Sequence, residues 1–299
     1  MRVFVTGATG FIGSAIVREL LSAGHQVIGL ARSDTAAASL VSAGAEVQRG
    51  ALDDLASLRS GAAAADGVIH TAFIHDFSDL ARSLQTERSA IETLGTALEG
   101  SKRPFVITTG TALLPLGRLV TEEDAPTTGS FTAARGATEE VALSFARRGA
   151  RVAVVRPAPS VHGNGDTHGF VTILISIARA RGVSAYPGDG SNRWSAVHRL
   201  DIAHLYRLAL ETAPAGTRLH GVGDEGVPLR EIASVIGQHL NLPVVSLTAE
   251  DMGAHFGWFA AFASLDNPAS NTLTQQLLGW HPTGPGLIAD LAEGHYFKE

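Results

Sequence analysis

The chain of 299 residues contains no cysteine. This absence excludes a disulfide framework and any metal site with cysteine ligands, and it fits a reducing cytoplasm. The twelve histidines include no His-Glu-x-x-His or similar ligand spacing, so no metal site is expected. Basic residues form no run, and the formal net charge is −6. Nucleic-acid binding is therefore not expected, because it depends on clustered cations that neutralise phosphates.

Long apolar runs are also missing. No stretch reaches the roughly 20 apolar residues that a membrane-spanning helix needs. The chain starts on a strand-like segment and not on a signal sequence. We therefore expect a cytoplasmic protein without membrane contact. With 45% hydrophobic and 17% charged residues, the chain is expected to form a full core, arranged in two lobes.

The most informative segment is the glycine-rich run over residues 6–13, which directly follows apolar residues. Its spacing is suited to a pyrophosphate. Gly7 allows a tight turn, Gly10 lets the backbone approach the phosphates, and Gly13 lets the next helix pack closely on the strand. The free N–H groups at the start of that helix then face the anion. The predicted cofactor contacts in this segment are Gly7, Thr9, Gly10, Phe11, Ile12 and Gly13.

Strand and helix patterns alternate through the first half of the chain. Strands are predicted at 3–5, 25–30, 46–48, 67–70, 105–108 and 152–155. Helices are predicted at 12–21, 36–43, 55–64, from the fourth strand to about residue 100, and at 131–147. This alternation predicts parallel pairing in an α/β protein with a Rossmann-type, doubly wound parallel sheet.

The second half is interrupted by glycine and proline. Its helices are predicted at 170–181, 201–212, 229–240 and near 249–261. We predict a dinucleotide-binding domain over 1–160 and a smaller C-terminal substrate lobe over 161–299, part of which returns to the cofactor domain.

The spacing Gly-x-x-Gly-x-x-Gly with a leading threonine resembles the short-chain dehydrogenase/reductase superfamily. The nearest resemblance is to its extended and atypical branch, the NAD-dependent epimerase/dehydratase family. The run His70-Thr71-Ala72-Phe73 is similar to the small-residue loop that passes under the cofactor in that family. Arg156-Pro157 is similar to the Arg-Pro that lies beside the nicotinamide. These matches imply that Ala72, Phe73 and Pro157 contact the cofactor.

Two further segments carry the resemblance less completely. Residues 49–54 stand where relatives have Gly-Asp-Leu beside the adenine, but Ala51 replaces the aspartate. Only backbone contact near Leu52 is therefore implied there. Residues 197–203 resemble the family's Val-His-Val-x-Asp segment. In that segment we expect Asp201 to cap a helix and His198 to pack or bond locally.

The end of the second strand indicates which nucleotide is bound. An acid at this place bonds the ribose hydroxyls of NAD, whereas an arginine accommodates the additional phosphate of NADP. The chain has Arg32 and Ser33, both suited to phosphate, with Asp34 just beyond. These residues favour NADP, with NAD as the alternative. A solvated surface arginine is the other interpretation of Arg32.

The catalytic residues that the resemblance implies are incomplete. Relatives use a Tyr-x-x-x-Lys pair, but no tyrosine here is followed four residues later by lysine, and the only lysines are Lys102 and Lys298. Alignment through Glu139 puts Phe131 at the tyrosine position and Arg135 at the lysine position. Arginine keeps the positive charge and stabilises an oxyanion, but it does not act as an acid near neutral pH.

Three residues are predicted to carry the chemistry. Arg135 and Thr109 would polarise a carbonyl oxygen, with Thr111 as the second choice for the threonine. A threonine satisfied by the backbone is the alternative. His75 follows the fourth strand on the ligand side of the sheet and would exchange a proton, with an ordered water as its alternative. An exposed loop histidine is the other interpretation of His75.

The sequence thus predicts an NADP(H)-dependent oxidoreductase acting on a small carbonyl or alcohol substrate. One alternative is a non-catalytic NADP(H)-binding redox sensor or regulator, which fits the missing tyrosine and lysine. Another is a sugar-nucleotide epimerase or dehydratase. The resemblance also implies a homodimer through the helices after the fourth and fifth strands. The second of these is rich in small residues, which are Ala133, Ala134, Gly136, Ala137 and Ala142.

Overall fold

The computed structural model describes residues 1–74, 79–127 and 131–298, with side chains for all of these except 131–133. Its strands are β1 (Arg2–Thr6), β2 (Gln26–Ala31), β3 (Glu46–Arg49), β4 (Gly67–His70), β5 (Pro104–Thr108), β6 (Arg151–Pro157), β7 (Ser160–His162), β8 (Ser184–Pro187), β9 (Arg193–His198), β10 (Thr217–Gly221), β11 (Asp224–Pro228) and β12 (Val244–Leu247). Its α-helices are α1 (Phe11–Ser22), α2 (Asp34–Ala43), α3 (Leu55–Ala63), α4 (Leu80–Leu98), α5 (Phe131–Arg147), α6 (Phe170–Arg181), α7 (Arg199–Thr212), α8 (Leu229–Leu240), α9 (Met252–Phe256), α10 (Ala260–Ala263), α11 (Thr272–Leu278) and α12 (Leu287–Ala292).

The central sheet has seven parallel strands in the order β10-β6-β5-β4-β1-β2-β3. The chain enters at β1, moves outward to β3, and then crosses back to β4 on the other side of β1. The strand order therefore reverses between β1 and β4. Such a reversal opens a crevice at the carboxyl ends of these two strands, where ligands of doubly wound sheets bind.

Helices cover both faces of this sheet and divide the core in two. Successive side chains of a strand point to opposite faces. Val3 and Val5 pack on one face with Leu20 of α1, while Phe4 packs on the other with Ile91 of α4. All five residues are fully buried. The predicted Rossmann-type, doubly wound α/β sheet is confirmed.

The second half of the chain adds two small sheets. One has the order β11-β9-β7, and the other pairs β12 with β8. A third core, built around Trp194 and Phe259, lies between these sheets and α6 and α8. Strand β10 leaves this part of the chain and joins the central sheet beside β6. The boundary predicted at residue 160 stays a prediction.

Most predicted helices of the second half are present. The exception is the helix predicted near 249–261, which is wrong as a single element. Gly257 has a φ of +56°, which favours glycine and ends α9, and a short 3₁₀ turn leads from there into α10. Among the described residues, no helix is both long enough and apolar enough to cross a bilayer.

Helix α5 carries the small residues from which the homodimer was predicted. Gly136 packs under Pro126, and Ala142 is fully buried within this chain. Ala134 and Ala137 are exposed. Among the small residues of α5 whose side chains are described, these two are free for a contact with a second copy, and the dimer stays a prediction.

Candidate cofactor and substrate site

The three glycines after β1 lie in three different local environments. Gly7 has a φ of +68°, and a Cβ added there would lie 2.7 Å from Thr71 Oγ1. A Cβ at Gly13 would lie 2.0 Å from the Gly7 carbonyl oxygen, so α1 reaches the loop only because this position lacks a side chain. Gly10 has an ordinary φ of −72°, and its added Cβ would meet only the Gly7 oxygen, at 3.3 Å. Gly10 is therefore the least constrained of the three by the fold, and it leaves open space in front of the loop.

The start of α1 presents unpaired backbone donors to that space. Gly10 is the N-cap residue, and no side chain caps the helix. The Ser14 amide is the first to donate within the helix, to the Gly10 carbonyl at 2.9 Å. The amides of Phe11, Ile12 and Gly13 precede it and have no intrahelical acceptor. With the exposed Thr9 at their side, they form an anion-binding cradle.

The carboxyl end of β2 carries the residues predicted to select the nucleotide. Arg32 is exposed, and the Ser33 hydroxyl oxygen accepts from the Ala36 amide at 3.2 Å, so Ser33 caps α2. The neighbouring strand adds Arg49, since Ala31 pairs with Arg49 in the sheet. Asp34 forms an exposed ion pair with Arg49 at 2.5 Å. Sequence reasoning missed Arg49, although its place at a strand end beside Arg32 was a usable signal.

The loop after β4 lies directly against the glycine loop. The Thr71 hydroxyl donates to the Thr6 carbonyl at 2.8 Å, and the Ala72 amide donates to the Thr6 hydroxyl at 3.4 Å. Ala72 and Phe73 therefore border the crevice at the switch point. Leu52 is buried in the core of the α3–α4 face, so its side chain is not available to a ligand and the backbone contact with adenine stays a prediction.

Arg135 is held at the crevice by two groups from other elements. Its guanidinium carbon lies 4.2 Å from the centre of the Phe73 ring, a cation–π contact. Its Nε donates to Glu87 Oε1 of α4 at 3.4 Å. The Arg135 side chain is 20% exposed and that of Glu87 only 2%. Arg135 therefore presents a positive charge at the site, backed by a buried acid.

Glu87 was missed by sequence reasoning. Burial raises the pKa of its carboxyl, while the charge and hydrogen bond of Arg135 act in the opposite direction. Its Oε2 is buried without a hydrogen-bond partner in the described part of the chain, as is Nε2 of His70 nearby at the end of β4. Burial, helped by the charge of Arg135, lowers the pKa of His70 to about 4. Two buried titratable groups therefore lie close to Arg135, a carboxyl whose pKa is raised and an imidazole whose pKa is lowered.

Thr109 is engaged by a buried ionic network. Its hydroxyl donates to Glu139 Oε2 at 3.0 Å. Arg156 donates to both oxygens of the same carboxylate, at 2.5 and 3.0 Å, and Arg218 donates to Oε1 at 2.6 Å. Thr109 must therefore leave Glu139 before it donates to a substrate oxygen. The second choice, Thr111, is fully buried and donates to Asn267 at 2.9 Å.

The Arg-Pro pair at the end of β6 has two different environments. The Arg156 side chain is fully buried in the ion pair with Glu139, so it belongs to the core and not to the crevice. Pro157 is buried as well, and its carbonyl lies beside Gly110. His75, the predicted proton donor, lies outside the described residues.

A loop of the second half is tied to the first turn of α1 by Arg199. This residue begins α7, and its guanidinium carbon lies 4.4 Å from the centre of the Phe11 ring. Its Nη2 donates to the Phe11 carbonyl at 2.8 Å and to Ser14 Oγ at 3.0 Å, while Nη1 donates to the Asn164 carbonyl at 2.7 Å. The adjacent His198 accepts from the Leu200 amide and so caps α7, which is the local bond predicted for it, although the cap itself was expected from Asp201.

The predicted cap at Asp201 is wrong. Its carboxylate accepts from the backbone amides of Thr283 and Gly284, both at 2.9 Å, and so it anchors a distant loop. The reason is that His198 already occupies the capping position of α7.

One group of metal-type ligands occurs near the C-terminus of the described chain. Ligand atoms of Asp290, Glu293 and His295 lie within 4.8 Å of one another. Asp290 is already paired with His162 at 2.8 Å, and Glu293 is exposed. We assign no metal to this group.

A reversed strand order with an anion cradle at the reversal defines a dinucleotide-binding protein of the extended short-chain dehydrogenase/reductase type. The chain belongs to the NAD dependent epimerase/dehydratase family, whose model matches residues 3–220. It is 48% identical to an uncharacterised protein of Schizosaccharomyces pombe, over 99% of this chain and 100% of the relative.

More distant relatives have named activities. A 4-hydroxy-2-methyl-3-oxo-4-farnesyl-3,4-dihydroquinoline-1-oxide ketoreductase of Stigmatella aurantiaca is 27% identical, over 93% of this chain and 87% of that protein. Among solved structures, the dTDP-glucose 4,6-dehydratase of Streptomyces venezuelae matches with a TM-score of 0.79 at 21% identity, covering 99% of this chain and 96% of the other. A likeness at that identity supports the fold alone.

Proposed function

We propose that this protein is an NADP(H)-dependent oxidoreductase that transfers hydride between the cofactor and a small carbonyl or alcohol compound. The observation that carries the proposal is the placement of Arg135, a partly exposed cation, beside the Phe73 loop at the same edge as the anion cradle. The relative named as a ketoreductase favours reduction of a carbonyl. A cytoplasmic location and a homodimer belong to the same proposal.

The described residues fit a nicotinamide dinucleotide. Space in front of Gly10 and the unpaired amides of α1 suit a pyrophosphate. The Streptomyces venezuelae dehydratase is described with NAD bound, which supports a cofactor of this class. The preference for NADP rests on this chain's own Arg32, Ser33 and Arg49 at the ends of β2 and β3. Two guanidinium groups at the carboxyl ends of neighbouring strands suit a phosphate better than an unphosphorylated ribose.

Replacing Arg32 with alanine is expected to weaken NADPH binding by about 1.5–3 kcal/mol, the scale of a hydrogen bond to a charged group. NADH binding is expected to stay nearly unchanged, because NADH has no phosphate at that position. Isothermal calorimetry with both cofactors measures the difference. Equal losses for NADPH and NADH would remove the argument for nucleotide selection by Arg32.

The chemistry needs an oxyanion partner and a proton. A bound nicotinamide supplies or accepts the hydride. Arg135 is proposed to hold the substrate oxygen and to stabilise the negative charge that develops on it. Thr109 is the second proposed donor, once it is released from Glu139. His75 is the proton donor proposed from sequence, and the buried carboxyl of Glu87, whose Oε1 lies 3.4 Å from Arg135 Nε, is a second titratable group beside the proposed site.

The test of the proposed reaction is an assay of aldehydes, ketones and sugar nucleotides with NADPH or NADP. Replacing Arg135 with alanine is expected to lower turnover by about 10²–10³, the usual effect of losing one oxyanion donor. Arg88→Ala serves as a matched control, because Arg88 is exposed on α4 and pairs only with Glu92 in the described part. Turnover that survives Arg135→Ala, Thr109→Ala and His75→Ala alike would show that other residues carry the chemistry.

The non-catalytic redox sensor is the second candidate, and a specific observation favours it. The Thr109 hydroxyl is committed to Glu139, and Arg135 is paired with Glu87, so both proposed oxyanion donors already have partners. Tight NADPH binding without turnover of any compound in the assay would favour this function. Turnover of a sugar nucleotide would instead support the epimerase or dehydratase alternative.

A further inference from the structure

Arg199 is a cation beside the anion cradle that the family resemblance does not explain. In the family's Val-His-Val-x-Asp segment the residue after histidine is valine, whereas this chain has arginine there. The guanidinium lies over the Phe11 ring and donates to the Phe11 carbonyl. Phe11 is the residue whose amide comes first after Gly10 at the start of α1. Arg199 therefore lies against the same helical turn that presents the free amides.

The guanidinium of Arg199 makes no ion pair in the described part of the chain, although the more distant carboxylate of Asp166 acts on it. No carboxylate there lies within 4.0 Å of its guanidinium, whose hydrogen bonds go to two carbonyls and one hydroxyl. Its Nε is buried and makes no hydrogen bond. The pKa of Arg199 is lowered by burial first and by the positive charge of Arg18 next. Arg18 is an exposed residue of α1.

Positive charge of two origins therefore meets at the first turn of α1. The helix dipole places a partial positive charge at the start of α1, and Arg199 adds a whole charge beside it. A partly buried cation without an ion pair is stabilised when an anion binds beside it. The diphosphate of a dinucleotide is such an anion, and the proposed function puts it at that turn.

We propose that Arg199 is a second cofactor-recognition residue, which attracts the pyrophosphate common to NADH and NADPH. This inference rests on the proposed dinucleotide function. Arg32 and Arg199 then divide recognition between them. Arg32 distinguishes the two nucleotides, whereas Arg199 increases affinity for both. Through Asn164, Arg199 also holds the loop of the second half against α1, so cofactor binding and that loop share one side chain.

The experiment compares Arg199→Met with Arg32→Met by calorimetry against NADPH, NADH, ADP and adenosine. Methionine keeps the aliphatic part of the side chain but removes the charge, the guanidinium's contact with Phe11 and its hydrogen bonds, so adenosine is the control for the loss of these structural contacts. Arg199→Met is expected to weaken NADPH, NADH and ADP alike by about tenfold or more, the scale of a charge pair at intermediate dielectric. Adenosine binding is expected to stay unchanged, because adenosine carries no phosphate. Arg32→Met is expected to weaken NADPH alone, and Arg147→Met, an exposed arginine at the end of α5, is the control without effect.

Unchanged ADP and NADH affinity in Arg199→Met would overturn the inference, as would an equal loss of adenosine binding, which indicates damage to the loop. Circular dichroism and the thermal midpoint establish that each variant is folded. Should Arg199→Met fail to fold, Arg199→Lys provides the test instead, because it retains the charge. Its ADP affinity is expected to stay within about tenfold of that of the wild type. A larger loss in the lysine variant would contradict a role for charge. Absence of dinucleotide binding by the wild-type protein would instead contradict the proposed function, before any variant is made.

Discussion

Replacing Gly10 with valine is expected to abolish dinucleotide binding while the chain stays folded. The backbone at Gly10 has a φ of −72°, which any residue adopts, and an added Cβ meets only one oxygen, at 3.3 Å. The valine side chain would then fill the space in front of the α1 amides, where the pyrophosphate is proposed to lie. Calorimetry with NADPH and a thermal unfolding curve of the free protein measure the two expectations separately.

The neighbouring Gly13 provides the matched contrast. A Cβ at Gly13 would lie 2.0 Å from the Gly7 carbonyl oxygen, so Gly13→Ala is expected to lower the thermal midpoint by forcing α1 away from β1. Normal NADPH affinity in Gly10→Val would mean that the dinucleotide binds elsewhere in the molecule. A large drop in the midpoint of Gly10→Val would mean that the glycine is needed by the fold, contrary to its backbone conformation.

Replacing Glu139 with glutamine is expected to cost about 3–5 kcal/mol of unfolding free energy, the usual effect of removing one partner of a buried ion pair. The Arg156 and Glu139 side chains are both fully buried, and glutamine would leave the guanidinium of Arg156 without a counter-ion. Glu140→Gln is the matched control, because Glu140 pairs with Arg218 but is 61% exposed. That exposed pair is expected to contribute at most about 1 kcal/mol. Urea unfolding of the three proteins measures both values.

The loss of unfolding free energy in Glu139→Gln is expected to depend on pH, which would identify the charge of Glu139 as its cause. Burial alone would raise the pKa of Glu139, but hydrogen bonds and charges from Arg156 and Arg218 outweigh it and hold the pKa below its usual value. A lowered pKa means that the stabilisation is complete above the unfolded-state pKa and is lost as the pH falls through the folded-state value. The difference in unfolding free energy between wild type and Glu139→Gln is therefore expected to decrease at acidic pH. A gap that is constant with pH would point to packing instead of charge.

The sequence predicted the sheet and the cradle because both depend on local patterns. A strand that ends in glycine and leads into a helix is encoded within a few residues, and the roles assigned to Gly7 and Gly13 agree with their measured clearances. The break at Gly257 was missed because an isolated glycine inside a helical pattern is tolerated in some helices and ends others, and only its positive φ shows that it ends this one.

The surroundings of the proposed catalytic residues were not predictable in the same way. The engagement of Thr109 by Glu139 joins residues 30 positions apart, and the pair of Arg135 and Glu87 joins residues 48 positions apart on different helices. Helical periodicity did contain a signal for Glu87. It lies on the same stripe of α4 as Ala90, Ile91 and Leu94, all of them buried, and an acid on an apolar stripe needs a partner. The identity of that partner depends on how α4 and α5 pack together.

The late position of β10 in the chain has a consequence for synthesis on the ribosome. Strand β6 ends at Pro157, but its outer neighbour in the sheet is made only at Thr217–Gly221. Until that segment leaves the exit tunnel, the nascent chain carries an apolar strand with an unpaired edge, which invites pairing with other chains. Helix α7, which covers the same face of the central sheet as α1, is also translated after β6 and before β10. Maturation of the nucleotide-binding half therefore waits for translation of the second half, and a ribosome that stalls in between would release a species prone to aggregation.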